Sequence, residues 1–131
     1  MGSTTKIMVF FATCNLVDYY SIVLKSFVTY PLFKLHSKIS QKKRKKEYKT
    51  FLKCENGILL TTDLSSRGID VPNIDMIIQF DPPKNEEVYI HRVGRTARGA
   101  DASGKALLVL LPNEIGFIRY LKQNKVILSF T

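Results

Sequence analysis

The stretch KIMVFFATCNLVDYYSIVLKSFV, residues 6–28, contains two hydrophobic periodicities in succession. Lys6 to Ala12 is a continuous apolar run, which is typical of a strand buried on both faces of a parallel sheet. From Asn15 to Val28 the apolar residues recur every three or four positions, as in an amphipathic helix with Asn15 as its N-cap. The stretch therefore predicts a strand followed by a helix, the repeating unit of an α/β fold.

The rest of the chain repeats this alternation. Further strands are predicted at Leu32 to His36, Gly57 to Asp63, Asp75 to Phe80 and Lys105 to Leu111. Further helices are predicted at Ser40 to Leu52, Asn85 to Val93 and Asn113 to Gln123. Strands that alternate with helices predict a parallel α/β sheet with right-handed crossovers.

Polar residues occur where the predicted strands end. In open α/β sheets, ligands bind beyond the carboxyl ends of the strands. The residues at or just after those ends are Thr13, His36, Thr62, Asp63 and Asp81. We therefore expect the functional site at this edge of the sheet.

Length and charge limit the possible functions. With 131 residues and 45% hydrophobic content, the chain is long enough for one domain with a single core. We assign residues 6–131 to that domain and residues 1–5, which open with Met1-Gly2-Ser3, to a cloning remnant outside it. A net charge of +9 favours a polyanionic partner, either nucleic acid or an acidic membrane surface.

The sequence lacks membrane-spanning and secretory segments, and it lacks paired metal-binding cysteines. No apolar run is long enough to span a bilayer, and the N-terminus lacks the pattern of a secretory signal, so we expect a soluble intracellular protein. Cys14 and Cys54 belong to no CxxC pair. We expect reduced thiols in the core and no metal site.

The segment TTDLSSRGIDVP, residues 61–72, leaves a predicted strand and turns through hydroxyls, an arginine and an aspartate. Such a turn can present backbone N–H groups and hydroxyls to a phosphate, while Arg67 adds charge and Asp70 can accept a bond from a sugar hydroxyl. A surface loop with Gly68 at a tight turn would have the same composition.

The segment YIHRVGRTARG, residues 89–99, is strongly basic. If it is helical, His91, Arg95 and Arg98 share one face. Cations grouped in this way repel each other unless an anion is bound, and guanidinium groups match phosphate oxygens. The alternative is a solvated basic helix end, which the helix dipole favours.

These segments resemble a known family. HRVGRTARG resembles the sixth motif of DEAD-box RNA helicases, TTDLSSRGID the fifth and VFFATC the fourth. Gln41-Lys42-Lys43-Arg44 is similar to the QxxR element of the same family. The resemblance runs from about Lys6 to the end of the chain, in the order and spacing of the family. It implies a RecA-like sheet flanked by helices on both faces, in the C-terminal motor domain.

The resemblance implies a nucleotide-binding side. Gly68 and Asp70 match residues that contact the ribose side of the nucleotide. Arg95 and Arg98 match arginines that reach the phosphates of ATP. His91 matches a residue that couples the two motor domains.

It also implies an RNA-binding side. Thr13, Gln41, Arg44, Thr62 and Arg67 match residues that contact the RNA backbone. The Lys42 to Lys46 run could extend this path, although a charge run is usually a solvated helix face. Such contacts go to phosphates and 2′-hydroxyls, so we expect little dependence on base sequence.

One further position matches a family residue with a structural role, and two positions differ from the family pattern. Arg92 matches a residue that is usually turned inward, so we expect a structural role. Ser37 follows His36 where the family usually has glycine. Ala97 occupies a place that is often glycine.

The missing motifs limit the chemistry. The chain has no GxxxxGK[ST] phosphate loop and no DEAD-like acidic tetrad to hold Mg²⁺. We therefore expect this chain, alone, to be an inactive monomer without a bound cofactor. In the full-length protein it would complete an RNA-dependent ATPase that uses ATP with Mg²⁺, in partnership with RNA and an N-terminal RecA-like domain.

Two alternatives remain at this point. The first is a stand-alone basic RNA-binding module without ATP chemistry, and the second is a DNA helicase or translocase. The form of the fifth and sixth motifs favours RNA over DNA. Several stretches most resemble nucleolar helicases of ribosome assembly, which implies a nuclear or nucleolar location. No membrane partner is expected.

Overall fold

The computed structural model describes residues 5–63, 74–93 and 105–123. Its five strands are β1 (Thr5–Phe10), β2 (Leu32–Leu35), β3 (Asn56–Thr61), β4 (Met76–Gln79) and β5 (Lys105–Leu108). They form one sheet in the order β2-β3-β1-β4-β5, and every neighbouring pair is parallel. The predicted parallel α/β sheet is thereby confirmed.

Helices connect and flank these strands. They are α1 (Cys14–Leu24), α2 (Gln41–Lys53), α3 (Glu86–Val93) and α4 (Gly116–Gln123), the last preceded by a 3₁₀ turn at Pro112–Glu114. The helix predicted from Ser40 to Leu52 corresponds to α2, with Ser40 as its N-cap, since Ser40 Oγ accepts a hydrogen bond from the backbone N–H of Lys43 at 3.3 Å. No helix of the described ranges is long and apolar enough to cross a membrane.

The predicted start of α1 is wrong by two residues. Thr13, not Asn15, is the N-cap, and its Oγ1 accepts a hydrogen bond from the N–H of Leu16 at 3.2 Å. The chain is still extended at Thr13 because Phe11 N–H bonds to Thr61 O at 2.9 Å, which keeps it beside β3 beyond the end of β1. Both residue types make good caps, so local sequence does not distinguish them.

Several predicted strands are longer than the observed ones. The run at Lys105 to Leu111 is strand only to Leu108, because its neighbour β4 has just four residues. One further bond, from Val109 N–H to Gln79 O at 2.9 Å, ends the pairing. The first strand begins at Thr5, one residue before the predicted domain boundary.

The central strands explain the continuous apolar runs. On β1, Met8 and Phe10 pack into the cluster that contains Phe51 of α2. Val9, with Phe11 just beyond it, packs into the cluster that contains Val17 of α1. Alternate residues thus face different helices, so both faces of the strand are buried.

A buried lysine ties β1 to the end of α2. Lys6 is only 7% exposed, and its ammonium group donates to Leu52 O at 2.8 Å. The same group lies 5.4 Å from the centre of the Phe51 ring. Since the last carbonyls of a helix have no partner within the helix, Lys6 supplies one.

Both cysteines were expected in the core, but only Cys54 packs there. Both cysteines are free. Cys54 packs against the α2-side core, and a Cβ at Gly57 would come within 2.8 Å of its sulfur, so this position has no room for a larger residue. Cys14 instead lies half-buried at the carboxyl edge of the sheet, since it is the first residue of α1.

Candidate nucleic-acid interface

A cavity of about 430 Å³ lies at the carboxyl edge of the sheet. It is lined by Ala12, Thr13, Cys14, Ser37, Thr62, Asp63, Lys84 and Val88. These residues follow β1, β2, β3 and β4, whose ends meet at this edge because the strands are parallel. Thr13 and Thr62, two predicted RNA contacts, are thus brought to one cavity.

Thr13 is exposed, and the hydrogen of its hydroxyl has no acceptor among the described residues. Its Oγ1 accepts the N–H of Leu16 as the α1 cap. A hydroxyl has one hydrogen to donate and two lone pairs, so capping leaves the hydrogen available. The side chain can therefore stabilise the helix and donate to a phosphate oxygen at the same time.

Thr62 is far less accessible. It lines the same cavity but is only 7% exposed. The preceding residue, Thr61, is fully buried, and its hydroxyl donates to Thr62 O at 3.3 Å. A ligand would reach Thr62 only from inside the cavity.

Gln41 and Arg44 form a pair in the first turns of α2. Arg44 Nη2 donates to Gln41 Oε1 at 2.7 Å. Among the described residues no carboxylate pairs with Arg44, and its Nε, although buried, has no hydrogen-bond partner there. The N-terminal end of a helix also carries partial positive charge. The guanidinium is therefore positioned to take an anionic partner.

Neither member of this pair lines the cavity. The structure groups Thr13 with Thr62 and Gln41 with Arg44. The loop from His36 to Ser40 separates the two groups, since it joins the end of β2 to the start of α2.

His36 orders that loop. Its Nδ1 accepts the backbone N–H of Lys38 at 3.1 Å, so the ring proton is assigned to Nε2, which donates to Asp18 Oδ1 at 2.8 Å. Lys34 also donates to this oxygen, at 3.0 Å. The hydrogen bond from His36, followed by that from Lys34, holds the pKa of Asp18 below its usual value.

Ser37, which departs from the family pattern, adds a hydroxyl to the cavity. Its Oγ lies 3.5 Å from the sulfur of Cys14. The hydrogen bond with Ser37 lowers the pKa of the Cys14 thiol, and the nearby charge of Lys38 acts in the same direction. A glycine at position 37 would remove this contact.

Arg92 has the structural role that the sequence predicted. It is 2% exposed, and its guanidinium bonds both carboxylate oxygens of Asp63, at 2.6 and 2.7 Å. Nη1 also donates to Asp81 O at 2.7 Å, and the group lies 5.3 Å from the Phe10 ring centre. Arg92 therefore ties α3 to the ends of β3 and β4.

Sequence reasoning gave no role to the aspartates of this network. Asp63 holds Arg92 and lines the cavity, while Asp81 Oδ2 accepts the N–H of Ala12 at 2.7 Å. Their position at the ends of predicted strands indicated that they lie at the edge of the sheet where the site is expected. Their partners are distant in sequence, so no local pattern indicates them.

Of the remaining predicted residues, one lies within the described ranges and five lie outside them. His91 is exposed in the last turn of α3. Five others lie outside the described residues, namely Arg67, Gly68, Asp70, Arg95 and Arg98. Their assigned contacts, and the shared helix face of His91, Arg95 and Arg98, stay predictions. So do the assignments of Thr13, Thr62, Gln41 and Arg44 as RNA ligands.

Comparison with known proteins agrees with this architecture. The family model described as the helicase conserved C-terminal domain matches residues 1–100. ATP-dependent RNA helicase HAS1 of Saccharomyces cerevisiae is 51% identical over 124 residues, which are 95% of this chain and 24% of the relative. Human ATP-dependent RNA helicase DDX18 is 48% identical over 124 residues, 95% of this chain and 18% of its own length. The chain thus spans about a fifth to a quarter of these relatives.

Solved structures share the fold. Domain 2 of the DEAD-box helicase Mss116p, solved bound to an RNA duplex, has a TM-score of 0.85 and 36% identity, covering 95% of this chain and 49% of that one. The Escherichia coli DEAD-box protein SrmB, solved with the regulator of ribonuclease activity A, has a TM-score of 0.80 and 25% identity, covering 95% and 72%. With the parallel sheet and the helicase motifs, these matches show that the chain belongs to the helicase conserved C-terminal domain family, as a RecA-like domain of the DEAD-box type.

Proposed function

We propose that this domain supplies the RNA-backbone contacts and arginine fingers of an ATP-dependent RNA helicase. The other half of the ATP site lies on an N-terminal RecA-like domain of the same protein. RNA and ATP bind between the two domains, and closure brings Arg95 and Arg98 to the phosphates.

One observation carries the RNA part of this proposal. The cavity at the carboxyl edge is lined by both Thr13 and Thr62, and the exposed Thr13 hydroxyl has a hydrogen that no described residue accepts. Arg44, which no described carboxylate neutralises, lies in the first turn of α2. Hydroxyl donors and an unpaired guanidinium suit phosphate oxygens. The similar domain of Mss116p has been solved with an RNA duplex, which supports the same partner for this chain.

The nucleotide part rests on the sequence. Gly68 and Asp70 serve the ribose side, and His91 couples the two domains. The described residues contain no group of three or more metal-ligating side chains. The proposal accordingly places the Mg²⁺ ligands and the phosphate loop on the N-terminal domain.

The first prediction tests the arginine fingers. In the full-length protein, Arg95→Ala or Arg98→Ala should lower kcat for ATP by about 10³-fold, because arginines at a transferring phosphoryl group have effects of that size. RNA binding without nucleotide should change little. The measurement is steady-state ATPase with saturating RNA.

Lys45→Ala is a suitable control, since Lys45 is an exposed lysine on α2. An ATPase rate within a few-fold of the wild-type rate for both arginine variants would contradict the proposal. So would ATP turnover by the purified 131-residue chain, which has no phosphate loop. Strong RNA binding by that chain alone would instead favour a stand-alone RNA-binding module.

The location of the protein is a separate part of the proposal. The motif resemblance to nucleolar helicases of ribosome assembly supports a nucleolar site. Fluorescence imaging of the tagged full-length protein would test it, and exclusion from the nucleolus would contradict it.

A further inference from the structure

A second groove, of about 600 Å³, runs between α2 and the edge strand β2. Its lining includes Leu32, Phe33, Lys42, Lys43, Lys46 and Glu47. None of these six residues lines the cavity at the carboxyl edge. The groove is therefore a separate feature, and the proposed function does not use it.

The lysine run of α2 is divided between two sides of the helix. Lys42 and Lys46 are four residues apart, as are Lys43 and Glu47, so each pair is stacked along the helix on the groove side. Lys45 and Lys49 form another such pair, and they do not line the groove. The predicted RNA contacts Gln41 and Arg44 are likewise absent from its lining.

The groove is positively charged. Three ammonium groups face one carboxylate, and within the described ranges none of the three forms an ion pair. Its lining also includes Leu32 and Phe33, so apolar residues lie beside the charges. A ligand that matches it has carboxylates together with apolar side chains.

The backbone of β2 offers hydrogen-bonding groups beside this groove. Within the described residues, β2 has β3 as its sole neighbour. Ile58 N–H bonds to Pro31 O at 2.9 Å, and Leu32 is paired with Ile58 in the register. In a parallel pair, alternate residues face the neighbour, so the N–H and C=O groups of Leu32 and Lys34 point to the outer edge. Such an edge is a template for an added strand.

We propose that this groove binds an extended acidic peptide from a partner protein. The peptide adds a strand to β2 by bonding to Leu32 and Lys34, and its carboxylates pair with Lys42, Lys43 and Lys46. Strand addition of this kind gains affinity from main-chain bonds and specificity from side-chain pockets. RNA fits less well, because the Glu47 carboxylate repels phosphates and the outward groups of β2 match a peptide backbone.

A direct binding assay tests the charge requirement. A fluorescein-labelled peptide of alternating Glu and Val is titrated with the 131-residue chain, and anisotropy is measured. Lys43→Ala with Lys46→Ala should weaken binding about tenfold, since two exposed ion pairs are lost. Lys45→Ala with Lys49→Ala removes the same charge from the other side of α2 and should weaken binding about twofold or less.

Three results would overturn the proposal. They are an equal loss for both double variants, equal affinity for a peptide of alternating Lys and Val, and displacement of the acidic peptide by oligouridine that itself needs Lys43 and Lys46. The last would make the groove an RNA site. If circular dichroism shows that the first double variant is unfolded, Lys42→Ala with Lys46→Ala takes its place on the same side of α2.

Amide hydrogen exchange tests the strand addition separately. Saturating Glu–Val peptide should slow exchange at the N–H groups of Leu32 and Lys34, because they become hydrogen-bonded. Exchange at both positions that is unchanged by bound peptide would overturn the assigned mode of binding.

Discussion

Arg92 and Arg44 are two arginines near the same edge of the sheet, with opposite surroundings. Arg92 is buried and bonds both oxygens of Asp63. Arg44 is half-buried, and its described side-chain bond goes to the neutral Gln41. One charge is neutralised within the fold, and the other is available to a ligand.

This contrast shows why net charge alone does not locate a binding site. The chain has an excess of nine positive charges, but a buried arginine adds nothing to the field outside when a carboxylate neutralises it. In the proposed function, Arg44 contacts RNA because the described residues offer its charge no acidic partner.

The largest effect is expected from Arg92. Arg92→Ala should lower the free energy of unfolding by about 3–5 kcal/mol, because it leaves Asp63 and Asp81 O without their buried partner. Urea unfolding of the 131-residue chain measures this. Arg44→Ala should change the same quantity by about 0.5 kcal/mol or less.

A double-mutant cycle sharpens the test. If the bidentate pair carries the effect, Arg92→Ala with Asp63→Ala together should destabilise by clearly less than the sum of the single variants. Additive losses, or equal losses for Arg92→Ala and Arg44→Ala, would contradict the comparison.

The Thr13 side chain caps α1 and is also a proposed RNA contact, so two substitutions can separate stability from RNA binding. Thr13→Ala removes the α1 cap and should cost about 1 kcal/mol of stability. Thr13→Asp keeps a capping oxygen but places negative charge beside the cavity, so stability should be retained while RNA binding weakens.

Thr13→Ser is the conservative control and should change neither property. Thermal unfolding and RNA titrations of the full-length, nucleotide-bound protein give the two readouts. If Thr13→Asp binds RNA as well as Thr13→Ser does, Thr13 caps α1 but does not contact RNA.

A smaller effect concerns the Asp18, His36 and Lys34 group. The folded-state pKa of Asp18 is depressed, so its contribution to stability is complete above the ordinary aspartate pKa of about 4 and is lost as pH falls through the folded value. The stability difference between wild type and Asp18→Asn should therefore shrink as the pH falls below about 4.

Urea unfolding at a series of pH values measures this difference. Glu87→Gln serves as a control, because Glu87 is exposed on α3. A difference that grows as the pH falls would contradict the assigned hydrogen bonds.

The fold was more predictable from the sequence than the site was. Met8 to Phe11 alternate between two helices, so both faces are apolar and the strand is visible as a run. The α1 cap was not predictable, because Thr13 and Asn15 are equally suitable and sheet pairing decides between them.

Long-range pairing limited the site predictions. The family motif indicated an inward arginine at position 92, but its partner Asp63 is 29 residues earlier. Likewise, every residue from Lys42 to Lys46 is basic, and only the position of β2 assigns three of these residues to a groove. Charges acquire different roles through contacts that local patterns do not encode.

The most direct test of the central claim is the salt dependence of RNA binding. For full-length, nucleotide-bound protein, the slope of log affinity against log salt should flatten by about 0.7 in Arg44→Ala, because one phosphate contact to a single strand is lost. Lys25→Ala, which removes an exposed charge at the C-terminal end of α1, should leave the slope unchanged. An unchanged slope for Arg44→Ala, or equal flattening for both, would contradict the claim that Arg44 is the open arginine that binds the RNA backbone.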